Sequence, residues 1–175
     1  STRALDLVEL PKRVAVIGAG ALGAEFASIW NIFGSEVTLI EMLPSVLPME
    51  DEELTKRLAS VMKKRGMDVR PETKVAELRK NKESLKLQLE GKHAGAVEVD
   101  MVLVAVGLEC NSEVVTDTAS LGVEVGARGG IVVNDRMETS VRGVYAIGDV
   151  INRTWLAHGA SAEGIVAATN ATGGD

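Results

Sequence analysis

Lys12-Arg13-Val14-Ala15-Val16-Ile17-Gly18-Ala19-Gly20-Ala21-Leu22-Gly23-Ala24-Glu25-Phe26 is the stretch whose reading decides the fold. Lys12 to Ile17 is a short, valine-rich apolar run, the composition of a parallel strand covered on both faces. Gly18 to Gly23 breaks it. From Ala21 to Phe33, the residues Leu22, Phe26, Ile29, Trp30 and Phe33 recur at helical spacing, and Gly34 supplies a C-terminal stop. Glu36 to Ile40 returns as a second strand, closed by Glu41. A Gly-x-Gly-x-x-Gly loop that follows a strand, opens a helix and precedes a strand ending in an acid is the pattern of a dinucleotide-binding βαβ unit. Gly18 permits the tight turn, Gly20 lets the backbone approach a pyrophosphate, and Gly23 lets helix and strand pack closely. The free N–H groups at the helix start, from Ala21 and Leu22 on, face the phosphates. Glu41 can accept hydrogen bonds from the adenosine ribose hydroxyls and repels a 2′-phosphate, which favours NAD over NADP. The competing readings are a tight turn that binds nothing and, for Glu41, a solvated surface acid.

Further along, Asp51 to Arg65 reads as a second helix with Leu54, Leu58, Val61 and Met62 on one face. Acids at its start and bases at its end suit the helix dipole. Met67 to Arg70 is a third short strand. Val75 to Arg79, Leu85 to Leu89 and Val97 to Asp100 read as antiparallel strands joined by polar turns at residues 80–82 and 91–93. Met101 to Val106 is another buried strand, ending at Gly107. Small residues and glycines dominate Thr116 to Gly130. Two strands are predicted at Ile131 to Asn134 and Val144 to Ile147, the second running into Gly148-Asp149, and a last helix at Ser161 to Asn170. An aspartate placed after a glycine at a strand end can accept hydrogen bonds from a polyol. An ordinary strand-to-helix turn remains equally open on the residues alone.

Composition bounds the function class. The 175 residues are 46% hydrophobic and 25% charged, with net charge −6 and only 3% aromatic. That is ordinary for a globular domain and offers no basic surface for nucleic acid or anionic membrane. No apolar run approaches the roughly 20 residues of a membrane span. The single cysteine, Cys110, forms no internal disulfide and no Cys-x-x-Cys redox or zinc pair, so no metal set is read, and a reducing, cytoplasmic setting is expected.

The ordered set GAGALGAE (Gly18 to Glu25), SEVTLIE (Ser35 to Glu41), Met101 to Gly107, RGVYAIGDV (Arg142 to Val150) and LAHGASAEG (Leu156 to Gly164) resembles the dihydrolipoamide dehydrogenases, members of the flavoprotein disulfide reductases. The likeness covers almost the whole chain. It implies an α/β fold, Rossmann-like and FAD/NAD(P)-binding, with a central parallel sheet and a small antiparallel β-meander. Residues 1–113 would form the NAD-binding domain and 114–175 the C-terminal segment of a split FAD-binding domain. By the same likeness, Gly148 and Asp149 would hold the FAD ribitol, and Leu156, Ala157 and His158 would present backbone to the isoalloxazine ring. Val75 would lie near the adenine of NAD, Gly107 near its nicotinamide half, and Glu25 would be the acid beside the nicotinamide pocket, against the alternative of a helix-surface acid.

The resemblance also implies what the complete enzyme does: it passes electrons from dihydrolipoamide through a disulfide and FAD to NAD+. Its partners would be NAD(H), FAD and a lipoamide-bearing protein. It would be a homodimer, in the mitochondrial matrix if eukaryotic. The family's first FAD loop, redox cysteine pair and His–Glu acid/base pair are not among these residues. The chain therefore reads as an NAD-binding fragment, inactive alone, and no catalytic residue is assigned. A mercuric reductase or NADH oxidase type of flavoprotein, or a non-catalytic NAD-binding module, stays open. Three positions depart from the family pattern. Ala21 stands where a gating Tyr is frequent, Leu108-Glu109-Cys110-Asn111 replaces Arg-x-Pro-Asn, and Trp155 replaces a smaller residue. The strands after residue 111 are expected to lack partners, and so to pair with another chain, pack irregularly or be poorly ordered.

Overall fold

The computed structural model describes residues 4–113, 121–126 and 128–174. They divide into two compact units, residues 1–107 and 108–175. The boundary drawn from the sequence at 113/114 borders residues 114–120, which lie outside the described residues.

In the first unit, β1 (Arg13–Ile17), α1 (Ala21–Ile32), β2 (Glu36–Ile40), α2 (Glu52–Lys64), β3 (Asp68–Arg70), β4 (Thr73–Lys80), β5 (Leu85–Gly91), β6 (Gly95–Val99) and β7 (Met101–Val104) follow in order. Strands β3-β2-β1-β7 form one parallel sheet and β4-β5-β6 an antiparallel meander. β1 is central, with Val16 opposite Leu39 on one side and Leu103 on the other. Alternation along β1 gives each face its own core. Val14 and Val16 pack with Ala24, Phe26, Ala27 and Trp30 of α1 and Met62 of α2. Ala15 packs with Leu87, Leu89 and Val99 of the meander. This double covering is why β1 is apolar at every inner position. Phe26 and Trp30 stack one turn apart, with ring centroids 5.3 Å from each other.

Helix ends follow local rules. α1 closes in a Schellman motif: the Ser35 N–H donates to the Trp30 carbonyl and the Gly34 N–H to that of Asn31. α2 is capped by Asp51, whose carboxylate accepts the N–H groups of Glu53 and Leu54. At the far edge of the unit, Asp100 clasps Arg13. The Arg13 N–H donates to Asp100 Oδ2 at 2.8 Å, its guanidinium to Oδ1 at 2.6 Å, and the Asp100 N–H returns to the Arg13 carbonyl at 2.9 Å. The Arg13 side-chain hydrogen bond, with its N–H second, holds the Asp100 carboxyl below the usual aspartate range.

Two expectations need correction. The inward face of α2 is Thr55, Leu58, Ala59 and Met62, whereas Leu54 is 63% exposed and Val61 39% exposed. Thr55 can take the inner position because its hydroxyl donates to the Glu52 carbonyl at 3.0 Å. The second correction lies in the other unit. Residues 131–134 and 144–147 do not form ladders; among the described residues they make only isolated bridges, Val125 to Ile131, Val133 to Thr139 and Glu138 to Tyr145. Ile131, Met137, Ile151 and Ala167 make the small core of that unit. A 3-10 turn spans Gly148–Ile151, and α3 spans Ala157–Ala171, starting four residues before the predicted Ser161. Among the described residues no helix is long and apolar enough to cross a membrane.

Candidate functional site

The glycine loop leaves β1 at Gly18, whose φ of +97° suits a residue without a side chain. Its N–H donates to the Ile40 carbonyl at 2.8 Å. A Cβ there would fall 2.4 Å from the Ala105 carbonyl oxygen, so the chain after β7 is packed against the loop. Gly23 is equally constrained, since a Cβ would fall 1.9 Å from the Gly18 carbonyl oxygen. Gly20 is different. A Cβ on Gly20 would meet nothing within 4 Å, so it faces open space at the N-cap of α1.

The first intrahelical donor of α1 is Ala24, bonded to Gly20 at 2.9 Å. The N–H groups of Gly20, Ala21, Leu22 and Gly23 therefore have no helical acceptor. No side chain caps them, and the first turn contains no acid. α2, by contrast, caps itself with Asp51. Of the two helices described in this unit, α1 presents an uncompensated positive end beside a glycine with open space before it, the arrangement that receives an anion.

Glu41 is buried, and both carboxylate oxygens already accept backbone donors. Oε2 takes the Ala19 N–H at 2.7 Å and Oε1 the Leu43 N–H at 2.8 Å. The Ala19 carbonyl in turn accepts the Leu47 N–H at 2.8 Å. The middle peptide of the phosphate loop is thus tied on both sides to the segment after β2. A carboxylate offers about four lone-pair sites, so two remain to accept further donors.

The other positions singled out in this unit fall around the same strand ends. The Thr73 N–H donates to the Glu41 carbonyl at 2.9 Å, so β4 starts from the end of β2. Val75, half-buried, follows two residues on at the bulge before Glu77. Gly107, with φ +151°, ends the segment that leaves β7 past the loop. Glu25 is exposed on α1, one turn beyond Ala21, and Leu22 is half-buried.

In the second unit, Gly148 has φ +71° and opens the 3-10 turn, and Asp149 is exposed within it. Leu156, 51% exposed, is the N-cap of α3, with Ala157 and His158 exposed in its first turn. α3, like α1, has neither a side-chain cap nor an acid in its first turn. Asn152 and Trp155 hold left-handed backbone at φ +56° and +53°, which concentrates strain just before this helix. The Trp155 indole N–H donates to Asn152 Oδ1 at 3.0 Å. Cys110 is buried. Among the described residues no three His, Cys, Asp or Glu side chains are placed to hold a metal ion.

Two tethers had no sequence signal. The Ala19 and Leu47 peptides act through backbone alone. Glu163 reads as one more helix acid, yet its carboxylate accepts the Gly148 N–H from fifteen residues away.

A parallel sheet, an open glycine turn and an uncapped helix end define a Rossmann-type dinucleotide fold. Residues 1–164 match the family described as pyridine nucleotide-disulphide oxidoreductase, and the chain belongs to that family. It is 48% identical to the dihydrolipoyl dehydrogenase of Thermus scotoductus, covering 99% of this chain and 38% of that protein. It is 40% identical to the leghemoglobin reductase of Glycine max, covering 99% of this chain and 34% of that protein. The solved structure of LpdA from Mycobacterium tuberculosis superposes with a TM-score of 0.87 at 26% identity, over 97% of this chain and 36% of that one. The chain thus spans a little over a third of the length of the proteins it matches, in the mixed α/β fold of flavoprotein disulfide reductases.

Proposed function

We propose that the first unit binds NAD(H) and that the second supplies contacts to FAD, as part of a dihydrolipoyl dehydrogenase that oxidises a protein-borne dihydrolipoamide. The observation that carries the reading is the open Gly20 at the uncapped start of α1, beside a buried Glu41 with acceptor capacity left. The pyrophosphate fits the N–H groups of Gly20 to Gly23, where no side chain intrudes. The ribose hydroxyls, as donors, fit the two unused acceptor sites of Glu41, and a 2′-phosphate at that carboxylate is repelled. Val75 lies toward the adenine, and Glu25 and Gly107 toward the nicotinamide. Ala21 adds no gate over that end.

In the second unit Asp149 accepts from the flavin ribitol, and the first-turn amides at Leu156, Ala157 and His158 face the ring's electron-rich edge. When bound, FAD supplies a two-electron relay and NAD a hydride acceptor. The residues named here bind and orient. A redox disulfide needs a thiol from outside these residues, since Cys110 is the sole cysteine.

Calorimetric titration of the chain with NADH, NADPH and FAD tests the reading. NADH is expected to bind at least ~10-fold more tightly than NADPH, from the ribose hydrogen bonds alone. Folded protein that takes up no NADH at millimolar concentration, or that prefers NADPH, overturns it.

A further inference from the structure

We infer that Glu163 is a positioning residue that sets the backbone of Asp149; that this serves flavin binding rests on the function proposed above. Asp149 follows Gly148, whose φ is +71° and whose lack of a side chain leaves the backbone intrinsic freedom at this point. Three contacts remove that freedom. The Gly148 N–H donates to Glu163 Oε2 at 2.7 Å. The Asp149 carbonyl accepts the Asn152 N–H at 3.0 Å and the Cys110 thiol at 3.3 Å. The peptide is therefore gripped before and after the aspartate.

The face of α3 that carries Glu163 is built for the grip. A Cβ on Gly148 would lie 3.2 Å from the Ala160 Cβ, and one on Gly164 would lie 3.3 Å from Ile147 Cδ1. Small residues on both partners thus bring helix and turn close enough for a half-buried carboxylate to reach an amide. Among the described residues the Glu163 carboxylate accepts from Gly148 alone, so its acceptor role is directed at this turn. The carboxylate of Asp149 is left exposed, free to accept from a ligand.

The test compares Glu163→Ala, which removes the acceptor, with Glu163→Gln, which keeps a carbonyl oxygen in its place. In Glu163→Ala the Gly148, Asp149 and Asn152 amides are expected to shift and to exchange faster than in the wild type. FAD affinity, by calorimetry, should fall about tenfold in Glu163→Ala, the scale of one charge-assisted hydrogen bond. Glu163→Gln should recover most of it, with NADH affinity unchanged in both. Unmoved Gly148, Asp149 and Asn152 amides in a folded Glu163→Ala overturn the positioning role. Equal loss of FAD affinity in both variants also overturns it, because a kept acceptor then makes no difference. If the wild-type chain takes up no FAD while the amide shifts appear, the positioning stands and the flavin reading falls.

Discussion

Replacing Glu41 separates loop anchoring from ribose recognition. The side chain is 8% exposed, and its oxygens accept the Ala19 N–H at 2.7 Å and the Leu43 N–H at 2.8 Å. Glu41→Ala leaves two donors without an acceptor. A buried donor stripped of its partner costs about 1–3 kcal/mol, so the pair costs about 2–6 kcal/mol. The loop lies next to the open space before Gly20, where water can satisfy part of the loss, which places the expectation at about 2–3 kcal/mol. For a domain of roughly 100 residues this lowers the melting temperature of the first unit by about 8–15 °C. Glu41→Gln keeps one acceptor oxygen but turns an NH2 group toward the second donor, so about half that fall is expected. The ribose term is separate. Losing a hydrogen bond to a charged group weakens NADH by roughly tenfold to a hundredfold, and Glu41→Arg should shift the NADPH-to-NADH affinity ratio toward NADPH. Scanning calorimetry reads the first effect and isothermal titration the second. A Glu41→Ala melting temperature within about 2 °C of wild type refutes the anchoring. An unchanged affinity ratio in Glu41→Arg refutes the ribose role.

Two glycines of one loop should behave in opposite ways. Gly20→Ala places a methyl in open space, so the melting temperature should hold while NADH affinity falls by at least ~10-fold from the filled pyrophosphate site. Gly23→Ala drives a methyl against the Gly18 carbonyl, so soluble folded protein should be lost; normal circular dichroism and melting of that variant would contradict the packing described. Acid stability carries a sign. Because the Asp100 carboxyl is held below its ordinary range when folded, its contribution is fully present above the unfolded value and is lost as pH falls through the folded one. Asp100→Asn should therefore flatten the fall in melting temperature below about pH 4, and an unchanged profile would remove the clasp from that account.

The strand–loop–helix–strand start was legible because every local signal agreed. β1 is apolar on both faces, the loop glycines sit where backbone must approach backbone, and Gly34 ends α1 where the spacing stops. The three meander strands and their turns were legible for the same reason. What was misread depends on tertiary partners. Choosing the inward face of α2 by hydrophobicity selects Leu54 and Val61, but the buried position is Thr55, a polar residue that satisfies itself within its own helix. Ile131 to Asn134 has a strand's composition, yet a strand needs a ladder, and within the described residues it finds one bridge at Ile131 and another at Val133. α3 starts four residues ahead of the predicted Ser161, and a Cβ on Gly159 would fall 2.6 Å from the Thr154 hydroxyl oxygen, so the glycine serves the helix entry. Glu163 was invisible because its partner is set by the approach of a helix to a turn.

The clasp between Arg13 and Asp100 also bears on the order in which the sheet assembles. β1 meets β2 across one short helix, but it meets β7 only after the chain has run through α2 and the whole meander, a separation of 87 residues at the clasp. Contacts that close so long a loop form late and slow the search, because ordering the intervening chain costs entropy before the contact returns anything. The apolar flank of β1 that β7 will cover is bare until then. A salt-linked, doubly hydrogen-bonded latch at the first residue of β1 pins the register of the last strand as it arrives, at the stage when an uncovered parallel strand is most prone to join the wrong neighbour.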